Sequence, residues 1–260
     1  MEPIRFEPSF HQRDNTASAM RTHTLHYAAE SLVLHPEGAV HWPRLGTLII
    51  ADTHFGKDAQ FRRAGLAVPS GMLDEDLARL DRVLARTQAH RLVILGDVVH
   101  ARPGPEADWV DTVSEWRARH PALNWVAIAG NHDAGWTPPA DWRLDWRTEP
   151  LDDPPFRYQH EPETGTGRPV LAGHWHPVMR LRGAGERARL PVFAMSEDCL
   201  VLPAFGSFTG GADVTDDAYR GYALVDDRVM PLPAPLTANA TDAPGAPASP
   251  TTPPRAKPDH

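Results

Sequence analysis

Four short apolar runs in this chain end alike: in a small residue, then in side chains that bind metals. Residues 48–51 lead into Asp52-Thr53-His54, and residues 92–95 into Gly96-Asp97. Residues 125–129 lead into Gly130-Asn131-His132-Asp133, and residues 170–172 into Gly173-His174-Trp175-His176. Each run has the length of a strand, and its unbroken apolar character is that of a strand covered on both faces. In an open sheet packed between helices, the strand C-termini open onto one crevice. The four ends would therefore deliver Asp52 and Asp97, one Asn and several His to a single place.

The segments between these runs support a layered fold. Residues 25–28, 31–35 and 39–42 read as short strands, with Pro36-Glu37-Gly38 as a hairpin turn. Residues 58–71, which carry Arg62 and Arg63, show no apolar period and read as a loop. Leu73, Leu77, Leu80 and Leu84 form one apolar stripe and predict a helix. Residues 106–119 predict a second, with Trp109, Val113 and Trp116 on one face and Pro121 beyond its end. After Trp136 the pattern changes to short strands at 156–159, 170–172, 192–195, 199–202 and 222–225. A βαβα half followed by a strand-rich half predicts an α/β sandwich of two facing sheets. The expected organisation is a polar N-terminal extension at 1–22, one domain at 23–230, and a Pro/Ala/Thr-rich tail at 231–260 too poor in apolar residues to order itself.

Charge and composition narrow the function. A formal net charge of −8 gives no global attraction to nucleic acid, so any such contact needs a local basic patch or metal ions. Cys199 is the only cysteine, which excludes a disulfide within the chain and fits a reducing, cytoplasmic compartment. No apolar run approaches the roughly 20 residues of a membrane-spanning helix, and residues 1–21 lack the apolar core of a secretory signal. Histidine, the commonest metal ligand, occurs 14 times.

Two divalent ions about 3.5–4 Å apart can activate a water and clamp the oxygens of a phosphoryl group. Such a pair needs a bridging carboxylate and terminal ligands on each side. Asp97 is the natural bridge, with one oxygen for each ion. Asp52 and His54 lie two apart, as do His174 and His176, so in extended backbone each pair projects the same way. Asn131 offers a neutral carbonyl oxygen and is a terminal ligand. Nitrogen and oxygen donors without thiolate suit manganese, iron, cobalt, nickel or zinc better than calcium. Taken singly, each Asp or Asn is a turn or helix-capping residue and each His a satisfied core or surface group. Four in order argue for the metal reading.

The motifs D-x-H, G-D, G-N-H-D and G-H-x-H together resemble the calcineurin-like metallophosphoesterases, over about residues 48–202. The resemblance implies a four-layer α-β-β-α sandwich of two mixed sheets and a centre of two divalent ions, manganese foremost. The family pattern has one more histidine between its last two motifs, and His160 is the only one there. The implied ligands are Asp52, His54, Asp97 and His176 for one ion, and Asp97, Asn131, His160 and His174 for the other. His132 is then the catalytic acid for the leaving oxygen, and Asp133 orients it or shapes its loop.

Further stretches are similar to the bacterial ligase-associated DNA damage response endonucleases. These are Gly56-Lys57, Phe61-Arg62, Gly65, Pro69-Ser70-Gly71, Gly96 to His100, and the run 202–211. That likeness implies DNA as substrate, a role in DNA repair, and a DNA ligase and a helicase-like protein as partners. Lys57, Arg62 and Arg63, with Arg102, follow the metal motifs and would contact phosphates flanking the scissile one; the competing reading is an ordinary solvated charge. Phe205 and Phe208 flank a Gly-rich turn, where core packing weighs against base stacking. His100 is a supporting group or a plain loop residue, and Trp175 packs. Two other function classes stand beside the nuclease. A phosphodiesterase or pyrophosphatase for small nucleotides or nucleotide-lipid precursors would show a closed polar pocket. A non-catalytic scaffold of the same fold would have lost ligands, and none is lost here.

Overall fold

Strand β4 (Thr47–Ile50) is buried at every position and sits in the middle of the first sheet. Before it runs an antiparallel meander, β1 (His23–Tyr27), β2 (Glu30–His35) and β3 (Ala39–Trp42). After it come α1 (Lys57–Arg63), α2 (Met72–Thr87), β5 (Arg91–Leu95), α3 (Asp108–Arg119), β6 (Asn124–Ile128) and β7 (Asp145–Arg147). Strands β4 to β7 are parallel neighbours, so the sheet runs β1 to β7 in sequence order. This computed structural model describes residues 21–104, 107–183, 186–214 and 218–235.

The second sheet takes the rest of the chain: β8 (Leu151–Asp153), β9 (Phe156–Tyr158), β10 (Val170–Ala172), β11 (Pro177–Gly183), β12 (Glu186–Met195), β13 (Cys199–Val201), β14 (Ala212–Asp213), β15 (Arg220–Val225) and β16 (Arg228–Pro235). Its order is β14-β11-β12-β13-β10-β9-β8, with β15 also paired to β12 and β16 to β15. Strands β9, β10 and β13 are parallel and β8 is antiparallel, so this sheet is mixed like the first.

Alternation along the strands sorts the core into layers. Leu48, Ile50, Leu92, Ile94, Trp125 and Ala127 face the helices, where Leu73, Leu77, Leu80 and Leu84 of α2 meet Trp109, Val113 and Trp116 of α3. The intervening residues Ile49, Val93 and Val126 face the second sheet, against Phe156, Tyr158, Leu171, Phe193 and Leu200. The result is the α/β metallophosphoesterase architecture of two facing mixed sheets. The outer face of the second sheet buries Val170, Ala172, Val192, Ala194 and Cys199. Among the described residues that face is covered by Trp175, Tyr219 and Leu232 rather than by a helix.

Three expectations need correction. Residues 57–63 form a helix, not a loop. The segment carries no apolar stripe, but Asp58 lies in its first turn, Arg62 and Arg63 in its last, and Arg62 pairs with Asp58 at 2.9 Å. Those charges suit the helix dipole and the i,i+4 spacing. The second helix starts at Asp108 instead of 106. Ordered chain also continues past the Pro231 boundary, because β16 runs to Pro235. Its prolines at 231, 233 and 235 alternate, so the missing N–H groups fall on one edge of the strand, a placement open to an edge strand. Residues 1–20 of the N-terminal extension and 236–260 of the tail lie outside the described residues. No helix among the described residues is long and apolar enough to cross a membrane.

Candidate metal centre

Register brings the first three motifs side by side. Ile50 pairs with Ile94 and Leu95 with Ile128, so Asp52, Asp97 and Asn131 leave adjacent parallel strands at one level. The second sheet supplies the rest: His160 just beyond β9, and His174 and His176 just beyond β10. Backbone bonds tie the loops together. The amide of His54 donates to Asp97 O at 2.9 Å, Gly173 to His160 O at 3.0 Å, and Phe205 to Ala51 O at 2.7 Å.

The backbone at the ligands is not extended, as the two-residue spacing had suggested. Asp52, His54, Asp97, His174 and His176 all have positive φ, between 45° and 69°. This left-handed region is sparsely populated except by Asn, Asp and His among non-glycine residues, and holding a side chain there costs on the order of 1–3 kcal/mol. The paired ligands do converge, but by turning and not by strand alternation. The small residue before each ligand has a packing cause. A Cβ on Gly96 would overlap the His160 ring, and one on Gly130 would overlap the Asp97 carboxylate.

Two donor clusters result, and they share one carboxylate. Asp52, His54, Asp97 and His176 form the first, and Asp97, His160 and His174 the second. Asn131 joins the second, its Oδ1 lying 2.9 Å from His160 Nε2. His174 Nδ1 is 3.0 Å from the same nitrogen, and His54 Nε2 is 3.2 Å from His176 Nε2. His160 Nδ1 donates to Leu95 O at 3.2 Å, which leaves Nε2 as a lone pair aimed at a carbonyl oxygen and at another ring nitrogen. Acceptors that face acceptors need a proton or a cation between them. Ligands about 2.1 Å from an ion and at right angles around it lie about 3 Å apart, which is the spacing seen.

Burial acts in the same direction. Asp52 is fully buried, and its Oδ2 accepts the His174 amide at 2.9 Å while Oδ1 has no hydrogen-bond partner. Burial pushes the Asp52 carboxyl up, opposed by His176, whose Nε2 lies 3.6 Å from Oδ1, and by His160. A buried carboxylate of this kind is stable only when paired with positive charge. Burial, with His176 and Lys57 next, drives His54 down to about 2, so its ring is neutral and free to donate a lone pair. The donor set fits divalent metal ions at both clusters.

His132 lies beside the clusters and outside them as a ligand. Its amide donates to Asp97 Oδ1 at 2.9 Å, and its Nδ1 donates to His100 O at 2.7 Å. A carbonyl oxygen can only accept, so Nδ1 carries the hydrogen and Nε2 is the exchanging atom. Asp133 is buried and accepts three backbone N–H groups, from Gly130, Val98 and Val99 at 2.8, 3.1 and 2.9 Å. It fixes the His132 loop to the loop after Asp97. A further trio, His54, His100 and His132, also has its ring nitrogens close together and shares His54 with the first cluster.

The cationic residues divide. Lys57 lines the cleft next to His54, where burial lowers its ammonium group while Asp97 and Asp52 support it. Arg62 is committed to Asp58 and, at 3.0 Å, to Pro69 O, which is the solvated-charge reading with a structural task. Arg63 and Arg102 are exposed, and the Arg63 guanidinium lies against Gly104. Phe205 is buried at 3% exposure under Arg79, whereas Phe208 is 37% exposed. Trp175 packs on Tyr219. Sequence reasoning quoted Phe61 only as part of a likeness and gave it no role; it stacks on His100 with ring centroids 5.7 Å apart. Sequence reasoning missed the Asp76–Arg79 pair, which holds the loop after β13 through Ser207 and Phe205 O. No sequence periodicity marks either.

A family model for calcineurin-like phosphoesterases matches residues 46–188. A nuclease of Pseudomonas putida, MPE, is 41% identical over 82% of this chain and 100% of its own, with a TM-score of 0.72. More distant is Yfce, a phosphoesterase from E. coli, 17% identical over 71% of this chain and 96% of its own, with a TM-score of 0.37. Among curated proteins none matches.

Proposed function

The chain belongs to the calcineurin-like phosphoesterases and is a metal-dependent phosphoesterase, and on that premise we propose that it hydrolyses phosphodiester bonds in DNA with two divalent ions, manganese foremost. The observation that carries the reading is the pair of donor clusters joined at Asp97 with His132 alongside. DNA as the substrate draws support from the 41% identity to a nuclease. By the resemblance, the proposed setting is repair beside a DNA ligase and a helicase-like protein.

When bound, the ions supply water activation and neutralise charge on the phosphoryl oxygens. Asp52, His54, Asp97 and His176 hold one, and Asp97, Asn131, His160 and His174 the other. His132 acts on the leaving group. With Nδ1–H held by the His100 carbonyl, protonated His132 carries its mobile proton on Nε2 and passes it to the departing oxygen. In this reading Lys57, which lines the cleft beside His54, meets a non-bridging phosphate oxygen.

The test is hydrolysis of single-stranded, nicked and duplex DNA beside bis(p-nitrophenyl) phosphate and cyclic nucleotides, with manganese added or chelated. DNA cleavage that needs the metal is expected. His132→Ala should lose about 10²–10⁴-fold in kcat with metal content kept, and lose least where the leaving group needs no proton, as p-nitrophenolate does. Turnover of cyclic nucleotides with DNA left intact would overturn the substrate, and metal lost from His132→Ala would make that residue a ligand.

A further inference from the structure

From His132 a column of rings leads outward. His132 stacks on His100 at 5.1 Å between centroids with 23° between planes, and His100 on Phe61 at 5.7 Å and 27°. Phe208 then meets Phe61 edge-on, at 5.4 Å and 84°. The two phenyl rings make a corner open on one side, since Phe208 is 37% exposed. Phe208 also lines the cleft that holds His54 and Lys57. It is displayed by a loop that is itself anchored. Ser207 donates its amide to Asp76 Oδ2 at 3.1 Å, Arg79 bonds Ser207 Oγ at 3.0 Å, and Phe205 is buried below. An exposed aromatic ring on a fixed loop next to a reaction centre is a surface prepared for another flat apolar face. Cationic groups are near, Lys57 in the same cleft and Arg63 exposed on the same short helix as Phe61. Rings and cations side by side suit one polymer, a nucleic acid with an unpaired base to stack and a phosphate on either side.

We propose that Phe61 and Phe208 form a subsite that stacks one unpaired nucleobase close to the scissile phosphate. This rests on the reading of DNA as substrate. Phe208 supplies the shelf and Phe61 the end wall, while the ring column fixes the distance between the base and His132. The subsite binds by π-face and apolar area, so it accepts every base and rejects a sugar without one. Its contribution is uniform binding, which appears in KM and not in kcat.

The experiment compares two sets of DNA oligonucleotides. One set is fully based, and in the other a tetrahydrofuran abasic residue replaces each nucleotide near the cleavage site in turn. With wild-type protein, one position should raise KM by about 5- to 160-fold when its base is missing, the worth of one base–aromatic stack. In Phe208→Ala the KM for fully based DNA should rise by a similar factor, and the based-to-abasic difference at that position should vanish. Phe208→Trp keeps a stacking face and should restore it. Phe208 is exposed, so neither variant removes core packing. If Phe208→Ala cleaves DNA and keeps the full difference, or wild-type protein shows no sensitive position, the subsite is wrong while the nuclease reading stands. Wild-type protein that cleaves no DNA at all overturns both.

Discussion

Asp133 gives the strictest test of how this site is built. Its carboxylate accepts hydrogen bonds from the amides of Gly130, Val98 and Val99, and its residue is 2% exposed. Asp133→Ala strands three donors, and each buried donor left unpaired costs about 1–3 kcal/mol. Two effects hold the sum toward the low end. Gly130 is only half-buried, so its amide can regain water. Burial raises the Asp133 carboxyl pKa despite the three backbone bonds, so the native chain already bears a desolvation penalty that alanine relieves. The expected loss is about 3–4 kcal/mol at neutral pH. The loss falls on the turn at Asn131–Asp133, which carries the proposed ligand Asn131 and the proposed leaving-group acid His132, whose amide binds Asp97. Activity should therefore fall further than stability alone explains, since a shift of about 1 Å in a catalytic group costs about 10²-fold. Urea unfolding followed by fluorescence of the eight tryptophans gives the first quantity. Hydrolysis of bis(p-nitrophenyl) phosphate at saturating manganese, under conditions where the variant is folded, gives the second. An Asp133→Ala protein within about 1 kcal/mol of wild type that keeps its turnover would refute the pinning role.

Arg63 is the cleaner of the two arginines on α1 for testing phosphate contact, because Arg62 already pairs with Asp58. Arg63→Glu should raise KM on DNA and make the dependence of log binding on log salt shallower by about one unit or more; an unchanged slope would remove Arg63 from the interface. His35 is buried, and that burial first, with the charges of Arg86 and His41 next, drives its pKa from the ordinary 6.5 down to about 3. Below about pH 6.5 the unfolded chain takes up a proton that the folded chain refuses, so stability should fall with pH by up to about 1.4 kcal/mol per unit until about pH 3. His35→Gln should flatten that slope by one proton between pH 6 and pH 4, and parallel stability curves for the two proteins would show that His35 does not control it.

What could be read from the sequence was decided by how tightly the chemistry constrains residue type. Strands β4, β5, β6 and β10 were legible because burial on both faces leaves only apolar side chains, and α2 because one wet face gives the stripe at Leu73, Leu77, Leu80 and Leu84. The short strands β7, β8 and β14 have half-buried or exposed positions and no such pattern. Helix α1 was missed because ion pairing, invisible to an apolar count, shapes it. The ligand set stood out for a reason the sequence only half revealed. Spacing two apart looked like strand alternation, but the real signal was residue type, since Asp and His tolerate the left-handed backbone found at five of the ligands.

The same logic explains why the substrate side was harder to read than the metal side. A metal site demands particular donor atoms within about 2 Å of one point, and packing them so tightly leaves room only for glycine beside them, as with Gly96 against His160. A surface that grips a polymer asks only for flat rings and positive charge within reach. Phe61 comes from α1, His100 from the loop after β5 and Phe208 from the loop after β13, and nothing in the pairing of strands fixes their separation along the chain. The contact of Phe208 with Phe61 exists only after the two sheets close on each other, when Phe205 and Gly206 donate to Ala51 O and Asp52 O. The two bonds that set the Phe208 loop thus run to the strand end that supplies the first metal ligand. The placement of the rings is therefore coupled to the placement of the metals.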